Sequence, residues 1–222
     1  MENNKLVLVD ICGTLYDSNT TFDFLDFYCQ TSSYRLFRKI TRSLPWRVVN
    51  KVLIGGFGID LTRILAVRYL KGHTRDELDD AVERFYDQYL KPREIVPVHT
   101  LVNQFGTEGY SMMLVSATLD FIAACISRHM QIDSVVSTQL NYSEGYCMGA
   151  LDEDLLRHKR SFLTSINLLP PYEATITDNL SDDVLVKVSR RAYIVTYPKS
   201  KHKWKKKLVN HPSVVFIDAL RS

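Results

Sequence analysis

Residues 5–17 read KLVLVDICGTLYD. An unbroken apolar run rich in β-branched residues predicts a strand buried on both faces. The run stops at Asp10, and a glycine–threonine pair then turns the chain. A carboxylate is thereby set at the carboxyl tip of a buried strand. The pattern returns downstream: YSMMLVSAT predicts a second buried strand ending in Ser116, and EATITDN a third ending in Asp178. Helical spacing fills the intervals, at about 97–107, 119–130 and 156–167 and again from Ser181. AYIVTY and SVVFID predict two more short strands, and SVVSTQLNYSEGYCMGAL alternates and turns at Gly145 like a hairpin. Strand–helix alternation predicts an α/β fold, a parallel sheet with helices on both faces. Ligands in such sheets bind at the carboxyl ends of the strands.

One long segment, 18–95, interrupts the alternation. It begins aromatic (TTFDFLDFYCQ) and becomes helical in period. Leu61, Leu65, Val67 and Leu70 are expected to line one face of DLTRILAVRYLKG, which ends at Gly72. TRDELDDAVERFYDQYL opens with a capping box, Thr74 and Glu77, and carries Leu78, Val82, Phe85 and Leu90 on one face. Between them, VLIGGFGID reads as a glycine-punctuated connection.

The length, 222 residues, suits one large domain or a domain with a modest insertion. Hydrophobic residues at 45% and charged residues at 24% are ordinary for a globular protein. A net charge of +3 is too small to argue for nucleic acid, and no nucleic-acid partner is expected. The run KSKHKWKKK (199–207) reads as a solvated face between the last two strands. Four scattered cysteines, Cys12, Cys29, Cys125 and Cys147, predict free thiols in a reducing, cytoplasmic setting. No stretch reads as a signal peptide, and no apolar run approaches the roughly 20 residues that cross a bilayer, so no membrane partner is expected. The histidines show no metal-ligand spacing.

Asp10 and Asp178, at strand ends, suit a hard cation such as Mg²⁺. Ser116 offers a hydroxyl and Lys159 a point charge, both natural partners of phosphate oxygens. A carboxylate can also act as nucleophile and split one displacement into two. Asp182, four residues after Asp178, can hold Lys159 or a water of the metal in place. The plainer readings are a strand-end cap for Asp10, a helix N-cap for Ser116 and a surface lysine for Lys159.

The chain resembles the haloacid dehalogenase superfamily, in its phosphoserine-phosphatase-like branch. VLVDICGTL is similar to the first motif of that family, a strand followed by DxDGTL. MLVSAT resembles the second, HKRSFL supplies a lysine for the third, and TITDNLSDD is similar to the fourth; their order and spacing agree. The resemblance implies a Rossmann-like core from 1–17 and 96–222 with a helical cap inserted at 18–95. It implies Asp10 as the phosphoryl-accepting nucleophile, and Asp10, Asp178 and the backbone carbonyl of Cys12 as Mg²⁺ ligands. Ser116, Ala117 and Lys159 would bind phosphate, Thr14 would seat the motif turn, and Asn179 and Asp182 would support the metal side.

Cys12 stands where the phosphatases carry a second aspartate, which acts as general acid and base. A thiol with a pKa near 8.5 is a weak acid at pH 7, and beside carboxylates its thiolate is scarcer still. Three outcomes follow: a slow phosphatase, another phosphoryl or related chemistry, or a protein that keeps the fold to bind a phosphorylated ligand or partner. The cap position expected to hold a substrate ammonium is Asn19, which argues against phosphoserine itself. Phe22, Phe24, Phe27 and Tyr28 are expected mainly to pack, and Arg63 and Arg68 to lie near the cleft. The expected activity is Mg²⁺-dependent hydrolysis of a small phosphorylated metabolite by a monomer or homodimer.

Overall fold

The computed structural model describes residues 5–198 and 200–219. Seven strands form one sheet: β1 (Leu6–Val9), β2 (Ser111–Leu119), β3 (Ser134–Ser143), β4 (Tyr146–Glu153), β5 (Tyr172–Thr177), β6 (Ser189–Thr196) and β7 (Val214–Asp218), in the order β4-β3-β2-β1-β5-β6-β7. All neighbours are parallel except the β3–β4 hairpin. β1 lies in the middle, with Val7 in register with Met112 on one side and Ala174 on the other.

All four residues of β1 are buried, because each face of the sheet is covered. Val7 and Val9 belong to a large cluster on one face that includes Phe24, Phe85 and Phe121. Leu6 and Leu8 point the other way, into a cluster with Leu163, Tyr172 and Leu185. The strand order reverses at β1. The chain runs outward through β2 and β3, then returns to lay β5 on the opposite side of β1. Such a reversal opens a crevice at the carboxyl ends of the two central strands. Here those ends lead into Asp10 and Asp178.

Between β1 and β2 the chain is helical: α1 (Thr20–Tyr28), α2 (Ser32–Thr41), α3 (Leu44–Phe57), α4 (Leu61–Val67), α5 (Arg75–Phe85) and α6 (Val96–Thr107). The capping box of α5 forms in full at Thr74 and Glu77. Leu78, Val82 and Phe85 are buried, and the helix runs on as a π turn over Tyr86–Leu90. Phe24 of α1 meets Phe85 and Phe121 edge-on, at centroid distances of 5.5 and 4.8 Å, and so joins this block to the sheet layer. The hairpin also touches it. A Cβ on Gly149 would lie 2.9 Å from Lys71 Cβ and 3.0 Å from Arg68 Cα, so only glycine admits that approach.

The remaining helices are α7 (Asp120–Met130), α8 (Lys159–Ser165), α9 (Asp183–Val186) and α10 (Lys201–Lys207). Several expectations are corrected. Gly55 and Gly56 lie inside α3, which ends only at Gly58 in the left-handed conformation. Two interior glycines cost about 1 kcal/mol each against alanine, and side-chain ties described below hold the helix instead. On α4 the buried side is Thr62, Arg63, Ala66 and Val67, with Leu61 and Leu65 half-buried, because Arg63 is drawn inward by partners. β2 continues past Ser116 to Leu119, with a register shift against β3 between those residues. α8 is shorter than expected, and Asp178 is followed by a 3₁₀ turn (Leu180–Asp182) before α9. In the basic run, of which 200–207 are described, Trp204 is fully buried against Val186, Ala192 and Ile194. Its indole N–H donates to the carbonyl of Asp178 at 3.1 Å.

Candidate active site

A cleft of about 640 Å³ opens at the carboxyl ends of β1, β2 and β5. Asp10, Ser116, Lys159 and Asp178 all line it, although they are spread over most of the chain. Cys12, Ala117, Asn19, Arg63 and Asn179 line it too. Thr14 is buried behind it.

Lys159 carries the densest set of charged contacts. Its ammonium lies 3.0 Å from Asp10 Oδ1 and donates to Asp182 Oδ2 at 2.7 Å. The residue is only 4% exposed, so the solvated-lysine reading is excluded. Burial opposes the charge on Lys159, but Asp10 and Asp182 outweigh it, and its pKa is raised. Asp182 accepts a second hydrogen bond from Thr177 Oγ1 at 2.8 Å, which fixes the carboxylate that fixes the lysine. Asp10 Oδ1 also accepts from the Ile11 amide at 2.8 Å.

Asp178 is held by Thr14, whose hydroxyl donates to Oδ1 at 3.1 Å and accepts from the Asp178 amide at 2.9 Å. Gly13, at φ +66°, lets the two loops close: a Cβ there would stand 2.6 Å from Asp178 Oδ2. Asn179, in the cleft wall, caps the 3₁₀ turn by accepting from the Ser181 amide and hydroxyl. Two carboxylates, Asp10 and Asp182, thus share the Lys159 ammonium, and Asp178 makes no ion pair with it among the described residues. Burial, and then the charge on Asp10, push Asp178 up to about 7. The all-oxygen donor set and its excess negative charge fit a hard divalent cation.

Cys12 is half-buried in the wall, and its Sγ lies 2.8 Å from Thr20 Oγ1 and 3.1 Å from Thr118 Oγ1. The two threonine hydroxyls are 2.8 Å apart, and Thr118 in turn meets Ser116 Oγ at 3.1 Å. Burial, and then Asp10, raise the Cys12 pKa, so the thiol stays protonated at neutral pH. All four cysteines are free thiols.

On the helical side, Arg63 is 4% exposed. It donates to Asp154 at 2.5 Å and to the carbonyl of Ala117. Arg68 is exposed and does not line the cleft, because α4 passes into a 3₁₀ turn that carries it outward. Asn19 is the exposed N-cap of α1, accepting from the Phe22 amide. Phe24 is core, as expected, whereas Phe22 reaches the cleft wall.

The profile of the haloacid dehalogenase-like hydrolases matches residues 7–165. The chain belongs to that family. Its likeness to solved structures extends over nearly the whole chain. A protein of unknown function from Bordetella pertussis Tohama I shares 18% identity at a TM-score of 0.69, with 98% of this chain and 99% of that one covered. A substrate-bound phosphoserine phosphatase shares 14% identity at a TM-score of 0.61, with 91% of each chain covered. Cytosolic 5′-nucleotidase IIIB bound to cytidine shares 12% identity at a TM-score of 0.60, covering 96% of this chain and 81% of that one. At these identities the likeness is one of fold. Among curated proteins no sequence match is found.

Against the haloacid dehalogenase-like frame, the sequence reading missed Thr20, Thr118, Asp154 and Tyr197. Tyr197 lines the cleft and donates to the Gly13 carbonyl at 3.2 Å. Thr118 closes the second-motif stretch MLVSAT and the other three sit in no motif; each acquires its neighbour through the fold. A separate group, Glu83, Cys125 and His129, also gathers ligand atoms. There Glu83 is already paired with Arg128 at 2.6 Å and with His129 at 2.8 Å.

Proposed function

We propose that this haloacid dehalogenase-like protein is a Mg²⁺-dependent phosphomonoester hydrolase acting on a small phosphorylated metabolite. The observation that carries the reading is the convergence of Asp10, Lys159 and Asp178 in one cleft, with Lys159 3.0 Å from Asp10. Asp10 acts as nucleophile through Oδ2, since Oδ1 is engaged by Lys159 and the Ile11 amide. Attack on phosphorus forms an aspartyl-phosphate and releases the ester oxygen, which takes a proton. Water then cleaves the acyl-phosphate, returning the Asp10 carboxylate and inorganic phosphate. Lys159 and Ser116 hold the phosphoryl oxygens and offset their charge. Asp10, Asp178 and the carbonyl of Cys12 are the residues that would hold Mg²⁺. When bound, the ion supplies positive charge that neutralises the carboxylates and the transferred phosphoryl group. Residues 18–95 serve as the cap, with Arg63 tying it to the core through the Ala117 carbonyl.

Cys12 limits this chemistry. A thiol whose pKa is raised is a weak acid toward the leaving oxygen, and in its protonated form a poor base toward water. That favours leaving groups that need little protonation. It also motivates a second reading, a catalytically impaired protein that binds phosphorylated ligands. p-Nitrophenyl phosphate separates the two, since its leaving group needs almost no acid. Expected is Mg²⁺-dependent turnover that Asp10→Asn abolishes. Turnover that survives Asp10→Asn removes Asp10 as nucleophile, and no turnover in the parent protein selects the binding reading.

A further inference from the structure

The helices α2 and α3 are built inside out. α3 is anchored by its polar side: Trp46 Nε1 donates to Thr62 Oγ1 at 2.7 Å, Asn50 Nδ2 donates to Asp60 Oδ1 at 3.0 Å, and the Ile54 carbonyl accepts from Arg157 at 2.6 Å. Positions 46, 50 and 54 lie on one helical face. The opposite face carries Leu44, Val48 and Val52, which are 75, 62 and 63% exposed. No residue of α3 is buried. α2 repeats the arrangement. Tyr34 and Thr41 face inward, while Leu36 and Ile40 are 59 and 49% exposed. An ordinary surface helix turns its apolar stripe to the core. A contiguous apolar surface left outward marks a place where something else covers it.

The charge on this surface is one-sided. Residues 27–59 contain six Lys or Arg and no Asp or Glu. Arg38 and Arg42 are paired with Asp26 of α1. Arg35, Lys39, Arg47 and Lys51 are exposed and form no ion pair among the described residues. On α3, Arg47 and Lys51 flank the Leu44–Val48–Val52 stripe. A second copy of this face is a poor occupant, since a twofold contact sets like charge against like. An apolar stripe edged by cations matches an anionic lipid surface: the side chains enter the acyl boundary and the cations meet the headgroups.

We propose that the α2–α3 hairpin docks this protein on anionic membrane surfaces. Among the described residues no helix is long and apolar enough to cross a membrane, and none needs to, because these helices would lie flat in the interface. A trough of about 790 Å³ runs beside α3, and Phe22 and Asp60 line both it and the proposed active cleft. The expectation of no membrane partner looked only for spanning segments, and the proposed peripheral contact departs from it.

The test is cosedimentation of the full chain with vesicles of phosphatidylcholine alone or mixed with phosphatidylglycerol. Expected is binding to the mixed vesicles only, weakened by raised salt. Val48→Asp/Val52→Asp should lose it. Arg47→Glu/Lys51→Glu should weaken it by about 20-fold or more, at about five-fold per cation removed. Both pairs are exposed, and the melting temperature checks that the fold is kept. The binding readout does not depend on turnover, so the phosphatase reading can fail without it. Absence of binding to the mixed vesicles overturns the proposal. So does equal binding by the Val48→Asp/Val52→Asp protein, or a face covered instead by self-association or by an acidic protein in the absence of lipid binding.

Discussion

Sγ of Cys12 lies 2.8 Å from Oγ1 of Thr20, inside a chain of hydroxyls that continues through Thr118 to Ser116. The thiol is therefore a member of a polar network rather than a packing residue. The same network contains the donors that a carboxylate at position 12 would need. Cys12→Asp is expected to fold and to raise turnover of alkyl phosphates ten-fold or more, in line with general acid–base contributions of about 10² to 10⁴. Michaelis kinetics on an alkyl and an aryl phosphate test this, with the larger gain on the alkyl ester. Because burial and Asp10 keep the parent thiol protonated, iodoacetamide at pH 7 should leave Cys12 largely unmodified, read by mass spectrometry.

Among the described residues, Lys159 is the single cation between Asp10 and Asp182. Lys159→Met keeps its length and removes its charge, leaving buried carboxylates uncompensated. Breaking one partner of a buried pair costs about 3–5 kcal/mol. Urea unfolding of Lys159→Met, Asp182→Asn and the double variant should show that scale for the lysine change. The double variant should be less destabilised than the sum, because the second change removes a charge the first left stranded.

Asp178 sets a pH dependence with a definite sign. Its folded pKa is raised to about 7, above the unfolded value near 3.9. Between these values the native chain holds the extra proton, so metal-free stability falls as pH rises through that window. Asp178→Asn removes the penalty. Without Mg²⁺ it should be more stable than the parent at pH 8, by on the order of 1–3 kcal/mol, with little difference near pH 4. Thermal melts across pH check the trend, and a parent that gains stability toward pH 8 without metal contradicts it. Mg²⁺ should stabilise the parent and not the variant.

Arg63 bridges the Asp154 carboxylate and the Ala117 carbonyl. Arg63→Ala leaves both acceptors without it and should cost about 2–3 kcal/mol. The KM for p-nitrophenyl phosphate should rise as the inserted helices lose this tie. Arg63→Lys should rescue little, since one ammonium does not reproduce a planar fork that reaches two acceptors.

The legible parts of this protein were those settled within a few residues. A continuous apolar run marked β1, an apolar MMLV stretch marked β2 and the β-branched TIT marked β5, because burial against the helical layers demands such residues. Thr74 and Glu77 marked the start of α5, because a capping box closes within four positions. The motif order brought Asp10, Ser116, Lys159 and Asp178 into one expected site. Gly55 and Gly56 misled, since their local preference is overridden by the side-chain ties of Trp46 and Asn50.

What the sequence determined by itself was the alternation of strand and helix and the carboxylates at strand tips, both products of local periodicity. What only the tertiary structure decided was which groups meet across that framework. Thr118 reaches Cys12 from 106 positions away, and Trp204 leaves a basic run to brace the Asp178 carbonyl. The α3 stripe turns outward because its polar side finds partners on α4 and on the loop before it. Such contacts are fixed by long-range closure of the chain, which no short window of sequence contains.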